Sequence, residues 1–136
     1  MKELIVEADR NNLLKVQSFI DELLEEADCP MLTQISIDVA VEELFVNIAS
    51  YAYEQEIGIV TVQVELLKNP LSVEITFIDN GKQYDPLAKP DPDITLSAKQ
   101  RKKGGLGIFM VKKSMDDMSY EFKDGKNILT IKKNLN

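Results

Sequence analysis

The sequence lacks histidine, holds one cysteine and has no long apolar run, and each of these absences excludes a class of function. Without histidine the chain can be neither a Ser-His-Asp hydrolase nor a phosphohistidine carrier, and it cannot form a histidine-ligated metal site. Because Cys29 has no second cysteine to pair with, no internal disulfide can form, which favours a reduced setting. No segment approaches the roughly 20 apolar residues that cross a bilayer, and residues 1–7 lack the pattern of a signal peptide. We therefore expect a cytoplasmic protein without membrane association.

The charge balance is acidic, with 23 Asp and Glu residues against 16 Lys and Arg residues and a formal net charge of −7. A nucleic-acid-binding protein needs a basic face for the phosphates, so we expect no direct nucleic-acid partner. An acidic chain can still bind a nucleotide where basic side chains and backbone N–H groups are concentrated locally. With 136 residues and a 44% hydrophobic composition, the chain is predicted to be a single globular domain over residues 1–136.

Hydrophobic periodicity predicts five strands and three helices. The strands are predicted at 2–8, 59–66, 72–78, 118–122 and 127–132, and the helices at 11–27, 32–53 and 106–115. Thr33 is the candidate N-cap of the second helix, and Asp124-Gly125 is a hairpin signal between the last two strands. The order β-α-α-β-β-loop-α-β-β favours an α+β fold. We expect a two-layer α/β sandwich with the helices on one face of a mixed, mostly antiparallel sheet.

The second predicted helix carries two polar residues in an apolar surrounding, Glu43 and Asn47. They are four residues apart, so both project from one face of the helix. One interpretation is an ordinary solvent-facing stripe. The other is chemical, since a carboxylate and an amide together can hold a hydrated Mg²⁺ and position an attacking oxygen. Asparagine gains nothing from a helix interior, because its side chain competes with the backbone for hydrogen bonds, and this favours the chemical interpretation.

A second motif, Asp79-Asn80-Gly81, directly follows a predicted apolar strand. Such residues are common in plain turns. The functional alternative is a buried carboxylate that accepts a hydrogen bond from the exocyclic amine of adenine, with Gly81 allowing the backbone to come close to the ring.

A third motif, Gly104-Gly105-Leu106-Gly107, stands between a long polar stretch and the third predicted helix. The polar stretch runs from Lys82 to Lys103, holds three prolines and is the only predicted long loop, and such loops in small domains are more often functional. A glycine-rich entry to a helix presents free N–H groups to phosphate. The basic residues just before the glycines are either a solvated charge run or a source of attraction for phosphate. The pattern is neither a P-loop nor a dinucleotide fingerprint.

Together these motifs resemble the ATP-binding domain of the GHKL superfamily, and within it the bacterial anti-sigma factor serine/threonine kinases. Glu43 and Asn47 match the N box of that family, Asp79-Asn80-Gly81 its first glycine box, and Gly104-Gly105-Leu106-Gly107 its second. The chain departs from the family where Lys126-Asn127 replaces a frequent Gly-Thr or Thr-Thr. It also lacks the histidine that often follows the N-box asparagine.

The resemblance implies a Bergerat-type sandwich that binds ATP and Mg²⁺ beneath an ATP lid over about residues 82–105. It implies that Glu43 is the general base, that Asn47 is the magnesium ligand and that Asp79 contacts adenine. The other nucleotide-binding residues that it implies are Gly81, Lys103, Gly104, Gly105, Leu106 and Gly107.

The resemblance leaves two functions open. The chain could be an anti-sigma regulatory factor that phosphorylates an antagonist protein as a serine/threonine-protein kinase. Alternatively, it could be a nucleotide-dependent protein-binding regulatory module without kinase turnover. Both functions need Asp79 and the glycine loop, and only the kinase needs Glu43. The implied partners are ATP or ADP, a sigma factor or its antagonist, and a second copy of the chain in a homodimer. Any effect on transcription would pass through these proteins.

Overall fold

The computed structural model of this chain describes residues 1–53, 58–88 and 105–135. The strands are β1 (Lys2–Glu7), β2 (Ile59–Leu67), β3 (Ser72–Asp79), β4 (Asp117–Lys123) and β5 (Lys126–Asn134), and the helices are α1 (Leu13–Glu26), α2 (Met31–Tyr51) and α3 (Gly105–Ser114). A short 3₁₀ turn, Arg10–Asn12, precedes α1. Every predicted element is therefore present, with bounds that differ by a few residues. Among the described helices, none is both long and apolar enough to cross a membrane.

The five strands form one sheet in the order β1-β2-β3-β5-β4, and each neighbouring pair is antiparallel. The expectation of a mixed sheet is therefore wrong for the strands that the structure describes. The connection from β3 through α3 brings β4 back parallel to β3, but β5 lies between these two strands. Since β5 is antiparallel to both, no parallel pair forms.

The helices cover one face of the sheet, as predicted. Along β3, Val73, Ile75, Phe77 and Asp79 are buried while the intervening residues are half-buried. Their partners in the register share this face, since Val62 lies opposite Phe77 and Phe77 lies opposite Leu129. These residues form a single apolar core with the buried side of α2, which includes Leu44, Phe45 and Ile48. Asp79 is therefore the carboxylate of a core-facing row.

Two helix starts differ from prediction. Helix α2 begins at Met31 after Pro30, whose carbonyl accepts the N–H of Gln34 at 2.9 Å, so the prediction of Thr33 as N-cap is wrong. Proline suits this place because it fixes φ and needs no partner for an N–H. The predicted start at residue 11 is instead a 3₁₀ turn, in which the Asp9 carboxylate accepts from Asn11 N at 2.9 Å.

The predicted hairpin between β4 and β5 is confirmed. Asp124 and Gly125 have φ values of 53° and 76°. Positive φ at both central residues matches the twist of the flanking strands, which is why Asp-Gly is favoured there.

Candidate functional site

Asp79 ends β3 with its side chain inside the protein, where only 5% of the residue is exposed. Its Oδ1 accepts hydrogen bonds from Gly81 N and from Asn127 Nδ2, both at 2.9 Å. Burial raises the pKa of Asp79, and the hydrogen bonds from Asn127 and Gly81 act in the opposite direction. Two hydrogen-bond donors, Gly81 N and Asn127 Nδ2, therefore favour the ionised form of this buried carboxyl group, which burial disfavours.

Gly81 packs against the C-terminal end of α2. A Cβ atom on Gly81 would lie 2.3 Å from the carbonyl oxygen of Ala52 and 2.6 Å from the Ala52 Cβ. The next residue, Lys82, donates its backbone N–H to that same carbonyl at 2.9 Å. The close approach that requires glycine is thus to α2, and the approach of Gly81 to a bound ring stays a prediction.

A pocket lies between the C-terminal half of α2 and the adjoining ends of β3, β4 and β5. It brings together two of the predicted site residues, Asn47 and Asp79. The remaining lining residues are Ile48, Tyr51, Ala52, Lys82, Tyr84, Pro86, Tyr120, Asn127 and Leu129. Apolar and aromatic walls with a few convergent polar groups are typical of small-molecule sites.

Glu43 lies one turn before Asn47 on α2, but it borders a different cavity. A Cβ atom on Gly107 would lie 2.1 Å from Glu43 Oε2 and 2.9 Å from its Cδ, so the missing side chain leaves room for the carboxylate. Glu43 and Gly107 line this cavity, between α2 and α3, together with Ser36, Val39, Ala40, Met110, Val111 and Ser114. The structure therefore joins the first and third motifs directly through Glu43 and Gly107.

The third motif is only partly described. Helix α3 begins at Gly105, and Leu106 and Gly107 lie in its first turn. Lys103 and Gly104, like most of the predicted lid, lie outside the described residues. Within the described part of the chain, no three Cys, Asp or Glu side chains are grouped so that they could hold a metal ion.

Asn127 is a residue of this site to which the sequence motifs assigned no role, although Lys126-Asn127 departs from the family pattern. Its Nδ2 donates to Asp79 Oδ1 and to the carbonyl oxygen of Lys82, both at 2.9 Å. Its Oδ1 accepts from Tyr84 N at 3.1 Å and from the Tyr120 hydroxyl. One signal was available, because Asn127 is in phase with the core-facing residues Leu129 and Ile131 of β5. A polar residue in a buried row needs partners.

Tyr53 is a second residue whose role the sequence did not reveal. Its hydroxyl donates to the carbonyl oxygen of Ile59 at 2.8 Å and accepts from Asn80 N at 2.9 Å. It thereby ties the turn after β3 to the start of β2.

Comparisons with known proteins bear on the family and the fold of this chain. Residues 6–133 match the family described as "Histidine kinase-like ATPase domain". An anti-sigma F factor of Caldanaerobacter subterraneus is 30% identical over 101 residues, which cover 74% of this chain and 69% of that protein. A serine-protein kinase RsbW of Bacillus cereus is 30% identical over 98 residues, which cover 69% of this chain and 60% of that protein.

A solved structure of the RsbU and RsbW domains of Rv1364c from Mycobacterium tuberculosis has the same fold. It superposes on 99% of this chain with a TM-score of 0.69 and 17% identity, and the match spans 33% of that longer chain. At this identity the likeness concerns the fold alone.

Proposed function

Because this chain belongs to the histidine kinase-like ATPase domain family, we propose that it is an ATP-binding anti-sigma regulatory factor. In this proposal it acts as a serine/threonine-protein kinase on an antagonist protein, in keeping with relatives named serine-protein kinase. The observation that carries the proposal is the sharing of one helix by two features. Helix α2 bears Asn47 in the Asp79 pocket and, one turn away, Glu43 against Gly107.

The groups that line the Asp79 pocket are those that an adenine ring would contact. Oδ1 of Asp79 is already engaged by Asn127 and Gly81, and Oδ2 is the proposed acceptor for the exocyclic amine. Ile48 and Leu129 provide apolar walls for the ring. A hydrogen bond to a charged acceptor contributes about 1.5–3 kcal/mol, so this contact alone matters for affinity.

The phosphates would extend from this pocket toward the start of α3. Backbone N–H groups of Gly105, Leu106 and Gly107 at the beginning of that helix are suited to hold them. Lys103 and Gly104, just before α3 in the sequence, are proposed to add charge and backbone donors. Asn47 is the proposed ligand of Mg²⁺, since its amide oxygen is a hard donor. Magnesium bound to the phosphates would supply neutralisation of their charge.

Glu43 is the proposed general base. It is exposed, so the serine of a second protein can reach it, and the missing side chain of Gly107 leaves room for its carboxylate beside α3. Glu43 would accept the proton of the serine hydroxyl while the serine oxygen attacks the γ-phosphorus of ATP and ADP leaves. Most of the rate enhancement in such a reaction comes from positioning and charge stabilisation.

The decisive experiment measures phosphate transfer to the antagonist protein separately from ATP binding. Wild-type protein and Glu43→Ala are incubated with Mg·ATP and candidate antagonist proteins, and phosphate on the antagonist is measured. We expect Glu43→Ala to abolish transfer while ATP affinity stays within about twofold, because the base acts on the serine and not on the nucleotide. Glu42→Ala is the matched control, since Glu42 is exposed on the same helix but points about 100° away. Equal loss of transfer and binding in Glu43→Ala would reject the base assignment.

The adenine contact has its own test. Asp79→Asn replaces one acceptor oxygen with an N–H₂ group, so ATP affinity should fall by at least about tenfold. Calorimetric titration with ATP in the presence of magnesium measures this change. Unchanged affinity would remove Asp79 from the adenine site.

The proposal also includes the protein partners of this chain, its location in the cell and its oligomeric state. We propose a sigma factor or its antagonist as protein partner, a cytoplasmic location and assembly as a homodimer. If the wild-type protein binds ATP and its partner but never transfers phosphate, the alternative of a nucleotide-dependent binding module replaces the kinase.

A further inference from the structure

Asn127 is a buried amide with all of its hydrogen-bonding capacity in use. Only 5% of the residue is exposed. Its two N–H groups donate to Asp79 Oδ1 and to the carbonyl oxygen of Lys82, and its oxygen accepts from Tyr84 N and from the Tyr120 hydroxyl. An asparagine side chain offers two donors and two acceptor positions, so none is left over. The orientation of this amide is therefore fixed from four directions.

This fixed orientation makes one oxygen of Asp79 a hydrogen-bond acceptor. The N–H₂ group of Asn127 can only donate, so the Asp79 oxygen that it contacts must accept. Gly81 N donates to the same oxygen. Of the two hydrogen bonds that oppose the effect of burial on the pKa of Asp79, the one from Asn127 is the larger. Asn127 is therefore the main group that favours the charged form of this carboxyl.

The charge of Asp79 bears on which purine can bind. At the corresponding edge adenine presents an amine that donates, whereas guanine presents a carbonyl oxygen that accepts. An ionised carboxylate accepts from the amine of adenine and repels the oxygen of guanine. A protonated carboxyl could instead donate to guanine.

We infer that Asn127 is a specificity-determining residue: by donating to Asp79 it keeps this carboxyl an acceptor and so makes the pocket favour adenine over guanine nucleotides. The inference rests on the proposed function, since it requires a purine to bind against Asp79. Asn127 acts through Asp79 and is a positioning residue for it.

The test compares the dissociation constants of Mg·ATP and Mg·GTP by calorimetry for wild-type protein and two variants. Asn127→Leu keeps the approximate size and shape of the side chain but has no group that can donate a hydrogen bond. Asn127→Ala removes the donor altogether. We expect the preference for ATP over GTP to fall by at least about tenfold in both variants, mainly through weaker ATP binding. Unaltered preference in both variants, with ATP still bound, would overturn the inference and leave the proposed function intact.

Thr130→Val is the matched control. Thr130 lies on β5 and shares a side-chain hydrogen bond with Thr76 of β3, and neither residue lines the Asp79 pocket. The substitution removes a hydrogen bond between the same two strands but leaves the contact between Asn127 and Asp79 in place. We expect it to keep the wild-type preference. A loss of preference in Thr130→Val as large as in Asn127→Ala would show that general loosening of the sheet, and not donation to Asp79, is responsible, and would overturn the inference.

A measurement on the wild-type protein applies even where a variant fails to fold. The titratable groups that line the pocket with Asp79 are Lys82, Tyr51, Tyr84 and Tyr120. Tyr53 also interacts with Asp79, and Asp85 interacts with Tyr120. Burial raises the pKa of Tyr53 and of Tyr120, so both hydroxyl groups are neutral throughout the acidic range. We therefore expect the ATP preference to decline as the pH falls and Asp79 gains a proton, and to do so at a higher pH in Asn127→Ala. A wild-type preference that stays constant across the pH range in which NMR of the Asp79 carboxyl carbon shows this group gaining its proton would refute the inference. Failure of the wild-type protein to bind either nucleotide would remove the proposed function and the inference together.

Discussion

Replacement of Asp38 by asparagine is expected to stabilise the protein above neutral pH but not in acid. Asp21 on α1 and Asp38 on α2 are packed together, and within the described residues the buried Oδ1 atom of each has no hydrogen-bond partner. Two ionised carboxylates cannot bond to each other, whereas one shared proton lets them do so. Burial, hydrogen bonding to Asp21 and the charges of Asp21 and Glu25 together raise the pKa of Asp38 to about 7. Cys29 lies in the same environment, and burial and both aspartates raise its pKa too.

The size of the expected stabilisation follows from the difference between the pKa of Asp38 in the folded state and its pKa in the unfolded state. The pKa of Asp38 rises from an ordinary 3.8 to about 7. A shift of this size corresponds to about 4 kcal/mol for a fully enclosed group. Asp38 is only half-buried, so solvent screening reduces the effect to about 1–2 kcal/mol. Between these pH values the folded state binds more protons than the unfolded state. The contribution of Asp38 is therefore fully present below the unfolded pKa and is lost as the pH rises through about 7.

Urea denaturation at about pH 4, 6 and 8 measures this dependence. Asp38→Asn should gain about 1–2 kcal/mol of unfolding free energy at pH 8 and almost nothing at pH 4, because an amide mimics the protonated carboxyl. Asp21→Asn should behave alike, and the double variant should add little, since the pair shares one proton. Glu22→Gln is the control, because Glu22 is an exposed carboxylate of α1. A gain of equal size at pH 4 and pH 8, or a loss at pH 8, would refute the reasoning.

Three further substitutions test the packing of the site. In Gly107→Ala the three atoms nearest to the new Cβ would all belong to the flexible side chain of Glu43, so the unfolding free energy should change by less than about 1 kcal/mol. Phosphate transfer should fall at least about tenfold, because the displaced carboxylate is the proposed base. In Gly81→Ala the new Cβ would meet the backbone of Ala52, which cannot move aside, so urea denaturation should show a loss of about 1–3 kcal/mol. Tyr53→Phe removes the hydroxyl that bridges Asn80 and Ile59, so thermal denaturation should show a loss of about 1–3 kcal/mol of unfolding free energy. A loss near zero would show that these hydrogen bonds do not stabilise the fold.

Local pattern was enough to predict the elements of this fold. Strands and helices bury one side against the core, so their apolar residues recur with a period of two or of about 3.6 residues. This periodicity can be recognised in the sequence alone. The Asp124-Gly125 hairpin was predictable because positive φ at adjacent residues has few sequence solutions. The prediction of Thr33 as N-cap was wrong because it used the N-cap preference of threonine alone and left out Pro30, directly after which α2 begins. The roles assigned to Glu43, Asn47 and Asp79 stay predictions. The spacing of four residues did place Glu43 and Asn47 one turn apart on α2, where they line different cavities.

The sequence by itself determined the strands, the helices and the family to which this chain belongs, because these depend on local periodicity and short motifs. Only the tertiary structure decided that β5 inserts between β3 and β4, and hence that Asn127 reaches Asp79 across 48 residues of chain. It likewise brought Glu43 against Gly107 and set Asp21 beside Asp38. Each of these contacts joins segments distant in the chain, and such pairings depend on how whole elements pack rather than on the residues nearby in sequence.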